Sequence, residues 1–353
     1  MYTKKKYSGR QMLVWTRREL RFFFITALIV AVLFEVLNLQ FLQVPWTALA
    51  LIGTAVAFLI GFQSNAVYGR LWEARKIWGG IVNDSRMLGI MVNDMITNEH
   101  ANDPSTEEEL VEMKRTIIFR HIAWLTSLRH SMRQIKPWET FRSNKRNQEF
   151  VEVLHIPELE SSLEDDLKKH LSDAEYNEVL SKTNKAVAVM ALQSNHLRKL
   201  KERGLIWEFS FLEFESKLSE LVTHQGKSER IKNFPYPRQY ATLGYDLVNS
   251  FILLLPFGII PVFSNLGKTF MDTYPLIAPY FVWLGVPFSA MIAWVFNTMQ
   301  RIGTVGENPF EGSANDVPIS TISRGIEIDL LQTIGMDKDK IPDPVPADFD
   351  VQM

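Results

Sequence analysis

The chain has 353 residues, a formal net charge of −2 and no cysteine. The lack of cysteine excludes a disulfide scaffold and any thiolate-held zinc or iron–sulfur site. The near-neutral balance provides no global basic field of the kind that coats nucleic acid. Hydrophobic residues make up 46% of the chain, an ordinary average that hides a strong segregation of apolar and charged stretches.

Residues 1–21 form a basic arm, with Lys4, Lys5, Lys6, Arg10, Arg17, Arg18 and Arg21 against a single acid, Glu19. The stretch 22–42 carries one charge, Glu35, and 45–62 carries none. About 20 apolar residues cross a ~30 Å hydrocarbon core at ~1.5 Å per residue, so 22–62 reads as two transmembrane helices. Glu35 falls mid-span, and an acid there is expected to face the bundle interior rather than lipid.

The second of these runs has internal structure. Gly53, Ala57 and Gly61 recur at every fourth position, a small-residue stripe that lets helices approach closely. Thr54, Phe58 and Phe62 recur at the same spacing one position on, about 100° further round the helix. Rings of such side chains from several copies would form an apolar constriction able to close a pore by dewetting. The alternative is that both phenyl groups face lipid or core.

The middle, 63–245, is polar, charged and helical in pattern, with almost no alternating strand signal. Residues 63–97 continue the second span as a long helix. Ser105 with Glu108, and Ser172 with Glu175, have the spacing of capping boxes. Residues 185–203 and 207–223 read as amphipathic helices, and Pro235, Pro237 and Arg238 mark the return to the membrane. Two more charge-free runs follow within 246–300, at 247–266 and 274–299. Pro256, Gly258 and Pro261 interrupt the first, and Pro275, Pro279, Gly285 and Pro287 the second. Such interruptions either kink a span or line a cavity. Residues 301–336 hold an Asn-Pro-Phe segment and a helix. The tail, 337–353, is rich in Asp and Pro and is expected to be extended until something holds it. Basic residues gather on one side of the spans, with only Lys268 in the links on the other, so both termini and the middle are expected in the cytoplasm and the protein in the cell membrane as a multi-pass chain.

No catalytic constellation is present. Gly226-Lys-Ser and Gly267-Lys-Thr end like a phosphate loop, but Leu221 and Val262 stand where its first glycine is required. There is no GxSxG, no GxGxxG and no HExxH. The expectation is therefore not an enzyme, with no cofactor and no metal.

Two dense motifs, Gly61-Phe-Gln-Ser-Asn-Ala-Val-Tyr-Gly-Arg-Leu-Trp-Glu-Ala-Arg-Lys-Ile-Trp-Gly and Gly306-Glu-Asn-Pro-Phe-Glu-Gly-Ser-Ala-Asn-Asp-Val-Pro, resemble the prokaryotic branch of the bestrophin family, as does the layout from end to end. The resemblance implies an all-α membrane protein with four transmembrane helices and a helical cytosolic domain, assembled as a homopentamer around a central pore. It places the pore neck at Thr54, Phe58 and Phe62, with Thr54 standing where the family has a larger apolar residue. It places a second, cytosolic constriction near Leu205 and Ile206. Animal members bind Ca²⁺ through an acidic cluster after Asn-Pro-Phe. Asn308 and Asp316 match that cluster in register, but Ser313 replaces a ligand carboxylate, and fewer carboxylates hold a hard cation less well. The expectation is no Ca²⁺ gating, with Asn308, Asn315 and Asp316 capping the helix after Pro318 instead. The partners expected are other copies of the chain, membrane lipids and permeant monovalent ions. The resemblance favours a chloride or anion channel. A monovalent-cation channel on the same scaffold and a membrane-anchored sensor or scaffold are the alternatives.

Overall fold

The structure, a computed structural model, describes residues 1–139, 147 and 154–353; the rest of the expected 63–245 segment lies outside the described residues. The described residues are helical, with only isolated bridges at Tyr2–Val351 and Asp348–Val351. They divide into two compact units, a span unit of Lys4–Gly69 and Tyr236–Glu307, and a polar unit of Met1–Thr3, Arg70–Pro235 and Asn308–Met353.

The span unit opens with α1, Gly9–Trp15, started by a capping box between Ser8 and Gln11. Helix α2, Arg17–Ala31, runs on into a π-turn at Val32–Val36. There the Leu37 N–H bonds the Val32 carbonyl at 3.1 Å, and Asn38, at φ 56°, ends the helix in the left-handed conformation that asparagine tolerates. The termination overturns one expectation. Glu35 sits in the last turn of its helix and is exposed, because the chain turns at Asn38 instead of continuing to 42. Helix α3, Trp46–Met95, is unbroken for 50 residues, a length of about 75 Å at ~1.5 Å per residue. Among the described residues, three helical stretches are long and apolar enough to cross a membrane, Gln40–Met95, Arg238–Thr269 and Ala278–Val305. The charges of its first turn and the stop at Val36 leave α2 short of that measure.

In the polar unit, α4 is Glu107–Arg133. Its capping box lies one residue beyond the expected pair. Thr106 and Glu109 form it, at 3.2 and 3.1 Å. Ser105 is drawn elsewhere: its backbone pairs with the Asn98 amide at 2.9 and 2.7 Å, and its hydroxyl accepts from Arg203 at 2.8 Å. Short helices α5 (Pro157–Glu160), α6 (Leu163–Leu167) and α7 (Asp173–Ser181) follow, the last opened by the Ser172–Glu175 box. Then come α8 (Lys185–Glu202) and α9 (Glu208–Asn233), the latter ending ten residues beyond the 207–223 pattern read in the sequence. Their apolar faces meet the C-terminal part of α3 and α4 in one core containing Trp78, Trp124, Phe214 and Phe310. The span unit resumes with α10 (Arg238–Thr269) and α11 (Phe281–Val305). Pro256 and Pro261 lie within α10 without interrupting it, as Pro287 does within α11. The polar unit closes with α12, Ile319–Thr333.

The acidic tail is held by its own chain. Thr3 donates to the Asp350 carbonyl through both backbone and hydroxyl, at 2.8 and 2.9 Å, and Val351 and Met353 pack against Ile156. One buried acid of the polar unit is paired with two arginines. Buried Glu158 accepts from Arg129, from Ser320 at 2.8 Å, and lies 3.5 Å from Arg133. Burial pushes the Glu158 carboxyl up, but Arg129 and Arg133 outweigh it and hold it below its ordinary value.

Three histidines of this unit are held neutral, His121 buried and His170 and His196 half-buried. Burial lowers His121 to about 3, and lowers His170 and His196 to about 4, the last two helped by Lys169 and Arg120 respectively. The folded values lie below the ordinary 6.5, so the stability they contribute is full above pH 6.5 and falls as the pH drops toward 4 and 3. The melting temperature is therefore expected to fall between about pH 7 and about pH 5, and His121→Gln is expected to flatten part of that slope in scanning fluorimetry.

Candidate functional site

The membrane-depth half of α3 has two unlike faces. Leu49, Gly53, Val56, Ile60, Gln63 and Val67 are buried, a 4-3-4-3-4 spacing that keeps one narrow stripe turned inward. That stripe packs on Val248, Phe251, Ile252 and Leu255 of α10 and on Ala290 and Ala293 of α11. At about 100° per residue, Thr54, Phe58 and Phe62 centre about 180° from the middle of the buried stripe. All three are exposed, Phe58 at 64% and Phe62 at 72%. The Thr54 hydroxyl donates to the Ala50 carbonyl at 2.8 Å. Its hydrogen is turned back onto the helix, and the face is more apolar than the residue type suggests.

The small stripe is divided between these faces. A Cβ on Gly53 would lie 2.9 Å from the Phe251 ring, whereas one on Gly61 would meet nothing within 4 Å. Ala57 is exposed like Gly61. Steps of four residues advance about 40° relative to the helix repeat, so the stripe begins beside the buried face at Gly53 and ends on an open flank at Gly61. Its spacing suggests a single packing surface; within the chain only its first member packs.

At the inner end of this segment buried polar groups fix the helix in rotation. The Gln63 amide donates to Glu307 at 3.4 Å, and Arg238 lies 3.8 Å from the same carboxylate. Close approach there needs glycine, since Cβ atoms at Gly244 and Gly306 would fall 2.8 Å from Gln63 and Val67. Gln63 and Glu307 belong to the two sequence motifs, but nothing in the motifs alone marks them as a pair. The available signal is their polarity at a position of the buried repeat. Asn65, three residues past Phe62 and exposed, extends the open face and has no distinguishing sequence signal of its own.

In the polar unit the motifs meet again, through Trp78 and Phe310 with ring centroids 6.4 Å apart. Arg133 donates to the Phe310 carbonyl at 3.0 Å, and Arg70 caps the end of α9 through the carbonyls of Ile231, at 2.5 Å, and Phe234. The segment after Asn-Pro-Phe folds onto itself. Asn308 donates to Glu311 at 2.5 Å, and Asp316 accepts from the Gly312 and Ser313 N–H groups at 2.7 and 3.0 Å and from the Ser313 hydroxyl. The expected capping role is corrected here. Helix α12 starts at Pro318 with no side-chain cap, because Asp316 is already committed to its own loop and Asn308 to Glu311. Burial pushes the Asp316 carboxyl above its ordinary value, against the pull of these hydrogen bonds and of Arg133. Among the described residues no group of three or more His, Cys, Asp or Glu is arranged to hold a metal.

Leu205 and Ile206, the residues suggested for a cytosolic constriction, are 1% and 2% exposed and belong to the core of the polar unit. The Leu205 carbonyl accepts from Thr97 at 3.0 Å. A side chain that narrows a pore must present itself to the path, and these two are turned inward.

The family model described as bacterial/fungal bestrophin protein matches residues 11–332. A voltage-dependent anion channel-forming protein of Ralstonia nicotianae is 26% identical over 290 residues, covering 82% of this chain and 77% of its own. Its namesake YneE of Escherichia coli O157:H7 is 25% identical, covering 90% and 84%. The crystal structure of a bestrophin homologue from Klebsiella pneumoniae shares the fold, with a TM-score of 0.67 at 22% identity over 90% of this chain and 98% of that one.

The two ends of the small stripe respond differently to added bulk. Gly53→Val is expected to lose about 1–3 kcal/mol through overpacking against Phe251, while Gly61→Ala stays within about 0.5 kcal/mol in thermal unfolding. Equal losses would contradict the division of the stripe.

Proposed function

The chain belongs to the bacterial and fungal bestrophin family, and on that premise we propose that it is an anion channel, a homopentamer whose central pore has a neck formed by Thr54, Phe58 and Phe62 of α3 from each copy. The observation that carries this reading is the position of those three residues opposite the buried stripe of α3. A helix that packs on its own chain with one face and keeps bulky apolar groups on the other is suited to stand around an axis. Two exposed phenyl groups per copy would each forgo about 1.5–3 kcal/mol of burial in water. In a ring they face one another across a narrow passage, where the same aversion to water closes the path when the ring tightens.

Four membrane crossings complete the arrangement, with α2 and its π-turn supplying the first. The interior bonds at Gln63 support the reading, because they hold α3 in the rotation that turns Phe62 outward. Anion selectivity rests on the function printed in the names of the relatives. Asn65 is the first polar side chain inward of Phe62, and its amide offers N–H donors to a partly dehydrated anion. Both termini are proposed to lie in the cytoplasm, as the basic flanks require. The loop at Asn308–Asp316 is proposed to act without Ca²⁺, since its carboxylates are engaged with backbone and side-chain donors of the same loop.

In planar bilayers under a KCl gradient, the reversal potential is expected near the chloride equilibrium value. A reversal near the potassium value would overturn the selectivity and leave the pore. Phe58→Ala and Phe62→Ala are each expected to raise conductance or open probability; unchanged currents from both would remove the neck from α3. Addition of Ca²⁺ to the cytosolic side is expected to leave open probability unchanged, and a Ca²⁺-dependent rise that Asp316→Asn abolishes would restore a metal role to the loop.

A further inference from the structure

The basic arm is built as a surface with one acid removed from it. Glu19 is buried and lies 3.2 Å from Arg301 of α11, whose guanidinium also covers the Trp15 ring at 4.1 Å. Beside them Trp294 donates to the Thr16 hydroxyl at 2.8 Å. These contacts fasten the junction of α1 and α2 to the end of the last span. They leave Lys4, Lys5, Lys6, Arg10, Arg17, Arg18 and Arg21 on the outside, with no acid exposed among residues 4–21. Interleaved with the cations, Tyr7, Leu13, Val14 and Phe22 are exposed apolar residues, and α1 buries none of its residues.

We propose that this arm, held by the Glu19–Arg301 and Thr16–Trp294 contacts, is a binding surface for the anionic phospholipid headgroups of the adjacent leaflet. Charge complementarity is the first argument: a basic segment next to a span gains a factor of about five in affinity per cation at an anionic surface. The second is the mixture of side chains. Leu13, Val14 and Phe22 offer apolar area at the level where Lys and Arg stems extend toward phosphates. A soluble anion would find the cations but leave the apolar residues in water. The inference needs only that the arm lies at the membrane, and it is independent of whether the pore selects anions.

The test is native mass spectrometry of the full-length protein in detergent, titrated with phosphatidylglycerol or phosphatidylcholine. Phosphatidylglycerol is expected to bind at least about tenfold more tightly, with the preference shrinking as salt is raised. The variant Lys5→Gln/Lys6→Gln/Arg10→Gln is expected to lose most of the preference, and Lys338→Gln/Lys340→Gln, on the exposed tail, to keep it. Equal binding of the two lipids by the wild type would overturn the proposal. So would an undiminished preference in the arm variant, or an equal loss in the tail variant. Displacement of the lipid by millimolar inorganic phosphate would assign the site to a free anion and overturn the lipid. Should the arm variant fail to fold, the wild type alone still decides, because a lipid preference that does not shrink with salt would overturn a headgroup site built on these cations. Adducts are read by mass, so a failure here leaves the reversal-potential experiment untouched.

Discussion

A single helix is asked to satisfy two environments at once. Along Trp46–Met95, one stripe must pack on the chain's own helices, and the opposite stripe must remain apolar and unpacked. The i, i+3/i+4 repeat allows both, because it places Leu49, Val56, Ile60 and Gln63 on one side and Thr54, Phe58 and Phe62 on the other. A helix with a single apolar stripe would have only the inward one. The second stripe is left exposed in the chain, Phe58 at 64% and Phe62 at 72%.

Rotation of that helix is then the sensitive coordinate. A turn of one residue, about 100°, would move Phe62 off its face and bring Gln63 out of the interior. Three kinds of contact oppose such a turn in the span unit. Phe251 sits against Gly53, glycines admit close neighbours at Gln63 and Val67, and the Glu307 carboxylate accepts from Gln63. The last is the most selective, because leaving a buried amide or carboxylate without its partner costs about 1–3 kcal/mol. In the polar unit Trp78 and Phe310 serve the same helix by burial, and Arg133 secures the Phe310 backbone. Both motifs contribute residues that fix α3: Gln63, Val67 and Trp78 from the first, Gly306, Glu307 and Phe310 from the second.

Charge is handled by the same separation. Two buried acids are paired with arginine, Glu158 with Arg129 and Arg133 and Glu19 with Arg301. The arm carries exposed positive charge with no exposed acid among residues 4–21. Pairing Glu19 inside has two consequences: it fastens the arm to α11, and it withdraws the one negative group that would oppose an anionic surface.

The helical class, the long α3, the Ser172–Glu175 cap, the return at Arg238 and the stripe of Thr54, Phe58 and Phe62 are all legible in the sequence, because each depends on local spacing and local chemistry. Periodicity places residues on a face; it does not say what that face meets. So Gly53 and Gly61 look alike in sequence, although only one has Phe251 against it. Ser105 looks like a cap, although Asn98 and Arg203 claim it. Glu35 looks mid-span until Asn38 turns the chain, and Leu205 and Ile206 look available until the core of the polar unit closes over them. Asp316 looks free to cap a helix, although its own loop surrounds it. Each of these depends on partners distant in sequence or on a backbone conformation set by packing. The sequence by itself determined the family, the helices and the faces they offer. The tertiary structure decided which face is covered and which is left open, because burial is a property of neighbours and not of the residue.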